Sequence, residues 1–536
     1  MRAQKMSKLF VGVDVGSASV RAGIFTMEGT RLAFSVRPIQ QFHYQPNRVE
    51  QSSSDIWQQV CTTVREAISL AGVRPQQVAA IGFDATCSLV AVGDRGQPVA
   101  VGEEGDPDHD IVMWMDHRAG VETQRINATH DSALQYVGGQ VSIEMELPKI
   151  LWLKNHFPER YSAAWRFFDL ADYLVWRATG VDAAGVCTLT CKWNYLAHEE
   201  RFSQSLLESV ELTDLVNKIP ANIIQVGQPV GTLRTDVAAQ LGLTPDVVVA
   251  SGLIDAHAGG LALVAAAPEA NLAIISGTSN CHMIVSKEAK SVPGVWGPYF
   301  AAMYPGWWLN EGGQSAAGAL VDWTVMQSDA WPALRNEADA LGCSVYQILN
   351  QWVSELEACE KYPTRQLHVL ADHHGNRSPR SDANARGMVA GLTLEKGQPA
   401  LARLYLATLQ AIAYGTRHII DTMEQNGQRI ESITLCGGAS KNPLWLREYA
   451  NVTGRAIHLV AEEDAVTLGA ALNGAVACKA FSSFSAAAGA MVRRDKTIEP
   501  DAAHRAFHDA KYQVYLQMYQ HQQRYQAAMQ QTLVAL

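Results

Sequence analysis

Two segments in opposite halves of this chain share the pattern of a strand, a tight turn of small residues and a second strand. The first runs through LFVGVDVGSASVRAGIF and turns at Gly16-Ser17-Ala18. The second has strand-like residues 272–276 and 281–286 around Gly277-Thr278-Ser279. Alternating apolar residues around such a turn predict a β-hairpin. Two of them predict a duplicated α/β architecture, although the sequences hardly match and chance likeness of two turns is the alternative.

The length of the chain agrees with a duplication. At roughly 100–200 residues per domain, 536 residues are enough for two or three units. Hydrophobic residues make up 48% and charged residues 18%, as in soluble globular proteins. We predict two α/β domains, residues 1–267 and 268–536, with the boundary in the segment AAAPEAN at 265–271.

The segments between and after these hairpins predict the further elements of α/β domains. A helix is predicted over residues 54–71, after Ser52, Ser53 and Asp55 as capping residues and before Gly72. The other predicted elements are a strand at 78–84, a helix at 399–426, a strand at 433–436 and an amphipathic helix at 502–529. The apolar stripe of the last helix is typical of core or subunit contacts, and it leaves room for a homodimer.

Composition excludes several classes of partner and location. The net charge is −10 and no basic run alternates with aromatic residues, so nucleic acid is not an expected partner. The nine cysteines are scattered without a C-x-x-C, which argues against a disulfide framework or a zinc site. The most apolar stretch, 247–267, contains Asp255 and His257, so no membrane span is expected. With no secretion signal, we expect a cytoplasmic enzyme.

The glycine spacing excludes the common phosphate-binding loops. None of the 41 glycines is followed two positions later by another glycine or directly by lysine, which removes the dinucleotide fingerprint, the protein-kinase loop and the P-loop. H-E-x-x-H is also missing, and GQSAA at 313–317 departs from the hydrolase pattern G-x-S-x-G.

The two hairpin turns offer another way of holding phosphate. Backbone N–H groups and hydroxyls of Gly, Ser and Thr can approach an oxyanion without a blocking Cβ. In the first turn, Asp14 ends the strand, where it could contact the water shell of magnesium, and Arg21 adds positive charge. The second turn carries no charge, and either turn alone could be an ordinary hairpin.

Two carboxylates stand out as candidates for chemistry. Asp255 directly follows an apolar strand-like run and lies among glycines, a place suited to a ligand, and it could act as general base toward an attacking hydroxyl. Glu311 lies in the glycine-rich segment NEGGQSAAG. A capping role in a turn is the alternative for Asp255, and His257 is interpreted as a core or turn residue.

Two further segments suit a hydroxyl-rich ligand. WMDHR at 114–118 places polar groups behind an aromatic ring, and DATCS at 84–88 follows a strand. Each could equally be a plain surface loop.

Taken in order, these segments resemble the FGGY family of carbohydrate kinases. The resemblance covers nearly the whole chain and rests on DVGSASVR, WMDHR, SGLIDAHAG, SGTS and LCGGASKNP, with HGNRSP and NARG as a further stretch. It implies two actin-like (ribonuclease H-like) α/β domains with an ATP and sugar cleft between them, and it implies ATP and Mg²⁺ as cofactors.

The resemblance also implies roles for individual residues. Asp255 would be the general base and, with Asp14 acting through water, would lie at the magnesium ion. The implied sugar contacts are Cys87, Ser88, Trp114, Asp116, His117, Arg118, Lys192, Asp255 and Glu311. The implied nucleotide contacts are Asp14, Gly16, Ser17, Ser19, Arg21, Gly277, Thr278, Gly318, Gly437, Gly438 and Asn442. PKILWL at 148–153 keeps only part of the family's usual K-x-x-W neighbourhood, so Lys149 receives no catalytic role.

Within the family, TCSLV at 86–90 resembles the D-ribulokinase subgroup. This implies phosphorylation of a pentulose, with D-ribulose the expected substrate and L-ribulose, ribitol or D-xylulose as alternatives. Two readings from other classes remain open, an actin-fold ATPase without a sugar substrate and a sugar-sensing pseudoenzyme.

Overall fold

The computed structural model describes the backbone of residues 8–535, and its first large sheet contains the predicted N-terminal hairpin. The hairpin strands are Leu9–Val15 and Ser19–Phe25. In spatial order the sheet runs Arg31–Pro38, Ser19–Phe25, Leu9–Val15, Val78–Ala85, Val248–Ala250 and Pro229–Thr232, with Leu253–Ile254 also paired to Val78–Ala85.

The second large sheet contains the other predicted hairpin, Asn271–Ser276 and Asn280–Ser286. Its spatial order is Trp296–Phe300, Trp308–Gln314, Asn280–Ser286, Asn271–Ser276, Ser432–Gly437, Ile457–Val460 and Arg494–Ile498.

The two sheets have the same strand order and the same directions around the hairpin. In each, the first hairpin strand pairs antiparallel with its partner and parallel with a later strand, Val78–Ala85 or Ser432–Gly437. The next strand is again parallel, and the one beyond it is antiparallel. The predicted duplication is therefore confirmed, and the likeness of the two turns is not chance.

A smaller sheet beside the first one carries the loop that contains WMDHR. Its spatial order is Phe42–Gln45, Arg48–Gln51, Ile111–Val112, Leu89–Gly93 and Ala164–Asp169. Three two-stranded pairs complete the strands, namely Ala183–Gly185 with Asn222–Ile224, Tyr195–Leu196 with Arg201–Phe202, and His368–Leu370 with Met388–Ala390.

Helices cover the sheets and include those predicted from the sequence. The predicted first helix is Ser53–Ala71, where the Ser52 side chain accepts the Asp55 N–H and Gly72 ends the helix with φ of 62°. The remaining helices are Gly120–Asn127, Glu146–His156, Pro158–Ala163, Leu170–Thr179, Val186–Lys192, Gln204–Ser209, Thr235–Leu241, Asp255–Val264, Gly318–Met326, Trp331–Leu341, Val345–Cys359, Gly397–Gln425, Pro443–Thr453, Ala465–Ala477, Phe484–Met491 and Arg505–Ala535. Along the described part of the chain, none of these is both long and apolar enough to cross a bilayer.

Glycines in the first sheet let a helix from the other end of the chain pack against it. A Cβ on Gly12 would lie 1.9 Å from the Thr467 carbonyl oxygen, and one on Gly82 would lie 1.9 Å from that of Ala470. The helix Ala465–Ala477 therefore lies with its backbone against the first sheet. The predicted boundary at 267/268 falls in the connection between the helix Asp255–Val264 and the strand Asn271–Ser276, and the exact bounds of the two domains stay a prediction.

Candidate active site

Two aspartates face each other at the carboxyl end of the first sheet. Asp14 and Asp84 are direct register partners on the parallel strands Leu9–Val15 and Val78–Ala85, and both side chains are fully buried. Ordered sheet backbone fixes both carboxyl groups at one place, where parallel α/β sheets commonly bind ligands.

Burial dominates the electrostatics of this pair. It raises the pKa of Asp14 to about 7, although the guanidinium of Arg21, 2.5 Å away, opposes the shift. Burial and the neighbouring Asp14 raise the pKa of Asp84 well above its ordinary value. Burial of two neighbouring carboxyl groups thus works against the ionised form of both.

Asp255 lies beside this pair as the first residue of the helix Asp255–Val264. The strand before it, Leu253–Ile254, places Leu253 opposite Asp84, which brings the helix start to the same edge of the sheet. The Ala256 N–H lies 2.6 Å from Asp255 Oδ1, and burial raises the pKa of Asp255. We call Asp14, Asp84 and Asp255 the acidic cluster.

The acidic cluster fits a hydrated divalent cation. No hydrogen-bond donor of the described residues pairs with the carboxylate oxygens of Asp14 and Asp84, apart from the ion pair of Asp14 with Arg21. Within residues 8–535, no three acidic, histidine or cysteine side chains are placed to ligate one ion directly. Mg²⁺ in phosphoryl-transfer sites keeps several waters and uses one or two carboxylates. Asp14 and Asp255 were predicted to lie at the metal, and Asp84 is an addition from the structure.

The first turn is held in place by hydrogen bonds from Trp114, Gln41 and Gln51. The Gly16 N–H donates to the Ser19 carbonyl at 3.0 Å, which closes the turn. The indole Nε1 of Trp114 donates to Ser17 Oγ at 2.9 Å, and the Gln41 and Gln51 amides donate to the Ser17 carbonyl at 2.7 and 3.1 Å.

The second turn lies against the start of a helix. The Gly277 N–H donates to the Ser279 carbonyl at 2.9 Å, and the Gly318 N–H donates to the Gly277 carbonyl at 3.0 Å. A Cβ on Gly318 would lie only 2.6 Å from that carbonyl oxygen, so the close contact requires glycine. Gly277 and Thr278 are exposed beside the N-terminus of Gly318–Met326, an environment suited to phosphate oxygens.

The third glycine motif follows the strand Ser432–Gly437. Gly437 has φ of 94°, and a Cβ there would lie 2.0 Å from the Ser276 carbonyl oxygen, so this position also requires glycine. Gly438 follows in a short turn. The Asn442 side chain accepts the Trp445 N–H and donates to the Tyr405 hydroxyl, so it caps the helix Pro443–Thr453. Its contact with adenosine stays a prediction.

Glu311, His257 and Lys192 form a second polar cluster, and two of them, Glu311 and Lys192, are predicted sugar contacts. His257 Nε2 lies 2.8 Å from Glu311 Oε2, and Lys192 Nζ lies 4.5 Å from the centre of the Trp296 ring. Burial works against charge on Glu311, but the hydrogen bond with His257 and the positive charges of Lys192 and Arg377 lower its pKa to about 2. Cys87 is buried nearby, and burial raises the pKa of its thiol.

Of the four predicted contact residues in the WMDHR loop, two have side chains that hold the loop in place and two have side chains that are accessible. The Asp116 carboxylate accepts the Val49 N–H at 2.7 Å and pairs with Arg118 at 2.7 Å, and Arg118 also reaches Glu50 at 2.9 Å. Asp116 and Arg118 are therefore satisfied by the protein and hold the loop, whereas Trp114 and His117 are partly accessible.

Ser88 likewise supports the loop, because its Oγ accepts the Trp114 N–H at 3.1 Å while the side chain is fully buried. Sequence reasoning missed the role of Lys149, whose Nζ donates to the Trp114 and Glu144 carbonyls. It also missed Arg377, which comes from the second half of the chain, lies 3.8 Å from Glu144 and helps to lower the pKa of Glu311. Direct sugar contacts of the predicted residues stay predictions.

Comparisons with known proteins identify the family of this chain. The family description "FGGY family of carbohydrate kinases" matches residues 9–262 for its N-terminal domain and 272–478 for its C-terminal domain. The chain is 44% identical to a human FGGY carbohydrate kinase domain-containing protein over 98% of each chain. It is 38% identical to the D-ribulokinase of Saccharomyces cerevisiae, over 89% of this chain and 72% of that protein. Xylulose kinase from Rhodospirillum rubrum shares the fold, with a TM-score of 0.81, 21% identity and coverage of 97% and 99%.

The duplicated sheets, with a small-residue turn on each hairpin and carboxylates at the edge of the first sheet, define a two-domain α/β enzyme of the actin-like fold. The protein belongs to the FGGY family of carbohydrate kinases. The family resemblance predicted from the motifs is confirmed.

Proposed function

We propose that this kinase transfers the γ-phosphoryl group of ATP to the 5-hydroxyl of D-ribulose. The observation that carries the proposal is the place of Asp255, next to the Asp14–Asp84 pair on one side and two residues from His257, the partner of Glu311, on the other. The similarity to a D-ribulokinase and the TCSLV segment support D-ribulose.

Asp255 is suited to act on the attacking hydroxyl. The 5-oxygen forms a bond to the γ-phosphorus, the bond from that phosphorus to the β,γ-bridging oxygen breaks, and the hydroxyl proton passes to an Asp255 oxygen. Burial raises the pKa of Asp255, which makes it a better proton acceptor than an ordinary aspartate.

The turns and the acidic cluster would hold the donor. Backbone N–H groups and hydroxyls of the turns at Gly16–Ser19 and Gly277–Ser279 would bind phosphate oxygens, with Arg21 adding positive charge. Asp14, with Asp84 and Asp255, would hold the hydrated Mg²⁺, which neutralises charge on the phosphates.

Glu311 and Lys192 would recognise the sugar. An ionised carboxylate accepts hydroxyl protons and an ammonium donates to hydroxyl or carbonyl oxygens, so the pair can read both kinds of group on a pentulose. Trp114 adds an apolar ring surface beside them.

The test is ADP release from ATP and Mg²⁺ with D-ribulose, L-ribulose, D-xylulose, ribitol, glycerol or no sugar. L-ribulose is included because it is the enantiomer of D-ribulose. Highest kcat/KM with D-ribulose is the expected result. Preference for another sugar would overturn the substrate, and equal turnover without sugar would overturn the kinase activity.

A further inference from the structure

We propose that His257 is a positioning residue that fixes the Glu311 carboxylate for a sugar hydroxyl and so sets the affinity for the pentulose. This inference rests on the proposed function. It assigns a role to a histidine that the sequence alone describes as a core residue.

His257 connects the two halves of the site. Its helix, Asp255–Val264, follows the first sheet and begins with the proposed base, while Glu311 lies on the strand Trp308–Gln314 of the second sheet. The 2.8 Å contact between His257 Nε2 and Glu311 Oε2 joins them, and the His257 side chain is 1% exposed. A hydrogen bond with so little access to water has a defined geometry.

The surroundings of the other ring nitrogen select the tautomer. Cys187 Sγ lies 3.3 Å and Cys191 Sγ 3.8 Å from His257 Nδ1, and the Ile254 N–H donates to Cys187 Sγ at 3.5 Å. Since the sulfur of Cys187 already accepts a hydrogen bond, its S–H is free to donate to Nδ1. Burial raises the pKa of both thiols well above the ordinary value, so both stay protonated. Nε2 then carries the hydrogen and donates to Glu311.

The hydrogen bond from His257 leaves one oxygen of the Glu311 carboxylate available. Oε2 is held by His257, whereas Oε1 accepts no hydrogen bond from any residue in the described chain and can accept one from a sugar hydroxyl. Lys192 and Arg377 keep the carboxylate ionised without forming a hydrogen bond to it within that same part of the chain. His257 is thus the group that sets the orientation of this acceptor.

Because Asp255 and His257 share one helix, we expect the loss of His257 to affect sugar binding rather than nucleotide binding. Asp255 and His257 lie two residues apart at the start of one rigid element, so the base at the reacting hydroxyl and the acceptor for a second hydroxyl keep a fixed relation. Losing His257 should leave the phosphate turns unchanged, because neither turn contacts it through a hydrogen bond in the described structure.

The experiment compares His257→Leu and His257→Gln with the wild type in KM for D-ribulose, KM for ATP and kcat. His257→Leu should raise the D-ribulose KM by about tenfold or more and change the ATP KM by less than about twofold. His257→Gln keeps an amide N–H and should recover part of the sugar affinity. The matched control is His282→Leu, since His282 is equally buried but bonds to Thr416 at 2.9 Å on another side of the sheet.

A double-mutant cycle with Glu311→Gln separates positioning from general damage. If His257 acts through Glu311, His257→Leu should raise the D-ribulose KM by less than about twofold in the Glu311→Gln background. If the effects of His257→Leu and Glu311→Gln on the D-ribulose KM multiply instead, the inference is overturned. Should His257→Leu fail to fold, Cys187→Ala perturbs the same ring from the other side and should raise the D-ribulose KM by about threefold.

The outcomes also separate this inference from the proposed function. If the wild type phosphorylates another sugar of the panel, the same variants are compared with that sugar. If it phosphorylates none, the proposed function fails and the inference fails with it. An active wild type whose His257→Leu variant keeps the wild-type sugar KM defeats the inference alone.

Discussion

The indole N–H of Trp114 donates to the hydroxyl of Ser17 at 2.9 Å, which joins the proposed sugar loop to the first phosphate turn. Lys149 and Ser88 hold the same loop through the Trp114 backbone. A sugar that contacts the ring of Trp114 would therefore act directly on the orientation of Ser17.

This contact predicts that Trp114→Phe weakens the coupling between sugar binding and ATP turnover. The variant keeps an aromatic surface but loses the N–H, so the first turn becomes looser and water reaches the phosphates more easily. We expect the ratio of sugar-independent to sugar-dependent ADP release to rise by about three- to tenfold. Trp323→Phe, at a ring that is 50% exposed, is the control. An unchanged ratio in Trp114→Phe would show that the hydrogen bond does not couple the two sites.

The role of Asp255 predicts a loss of rate rather than of binding. Asp255→Asn keeps the shape of the side chain but cannot accept the hydroxyl proton, so kcat should fall by about 10²- to 10⁴-fold with D-ribulose while both KM values change little. Steady-state kinetics with D-ribulose and ATP measure this. The exposed Asp246→Asn on the connection before the strand Val248–Ala250 is the matched control. A variant that retains wild-type kcat would exclude Asp255 as the base.

Local patterns made much of the fold predictable. Both hairpins and the first helix depend on nearby residues, such as the Gly16-Ser17-Ala18 turn and the Ser52 and Gly72 caps, and the structure confirms them. The packing of the helix Ala465–Ala477 on the first sheet depends on contacts between distant parts of the chain, which no local pattern specifies.

The same distinction applies to the site. Asp84 was noted only as a residue after a strand, yet Gly12-Val13-Asp14 and Gly82-Phe83-Asp84 repeat one pattern and pair residue for residue. Comparing the two strands would have indicated the carboxyl pair. Asp116 carries no such signal, because one of the partners that satisfy it, the Val49 N–H, comes from a distant strand.

The buried carboxyl pair predicts a dependence of stability on pH. Burial raises the pKa of Asp14 to about 7 in the folded protein, and that of Asp84 is raised as well. Below about pH 4 the two carboxyl groups are protonated in the folded and in the unfolded protein. As the pH rises toward 7 they ionise first in the unfolded chain, so the free energy of unfolding falls across this interval. Asp84→Asn removes one of these groups and should stabilise the metal-free protein by on the order of 1–3 kcal/mol at pH 8, and by less at pH 5.

Urea unfolding at pH 5 and pH 8 without Mg²⁺ or nucleotide measures this difference. The same variant should lose activity, since it removes a carboxylate from the acidic cluster. Asp246→Asn, an exposed aspartate, serves as the control for a general change of net charge. Equal effects of Asp84→Asn at both pH values would contradict the raised pKa of the pair.

The raised pKa values of Asp14 and Asp84 predict that Mg²⁺ binding with nucleotide releases protons. A cation at the acidic cluster favours the ionised carboxylates, so the pKa values fall and the proton held by Asp84 leaves. Near pH 6.5, we expect release of about one proton per site, detected as a dependence of the calorimetric binding enthalpy on the ionisation enthalpy of the buffer. Asp84→Asn has no such proton to lose and should release clearly less. If wild type and variant release the same number of protons, the cation does not contact this pair, and Asp14 would then serve the site only through its ion pair with Arg21.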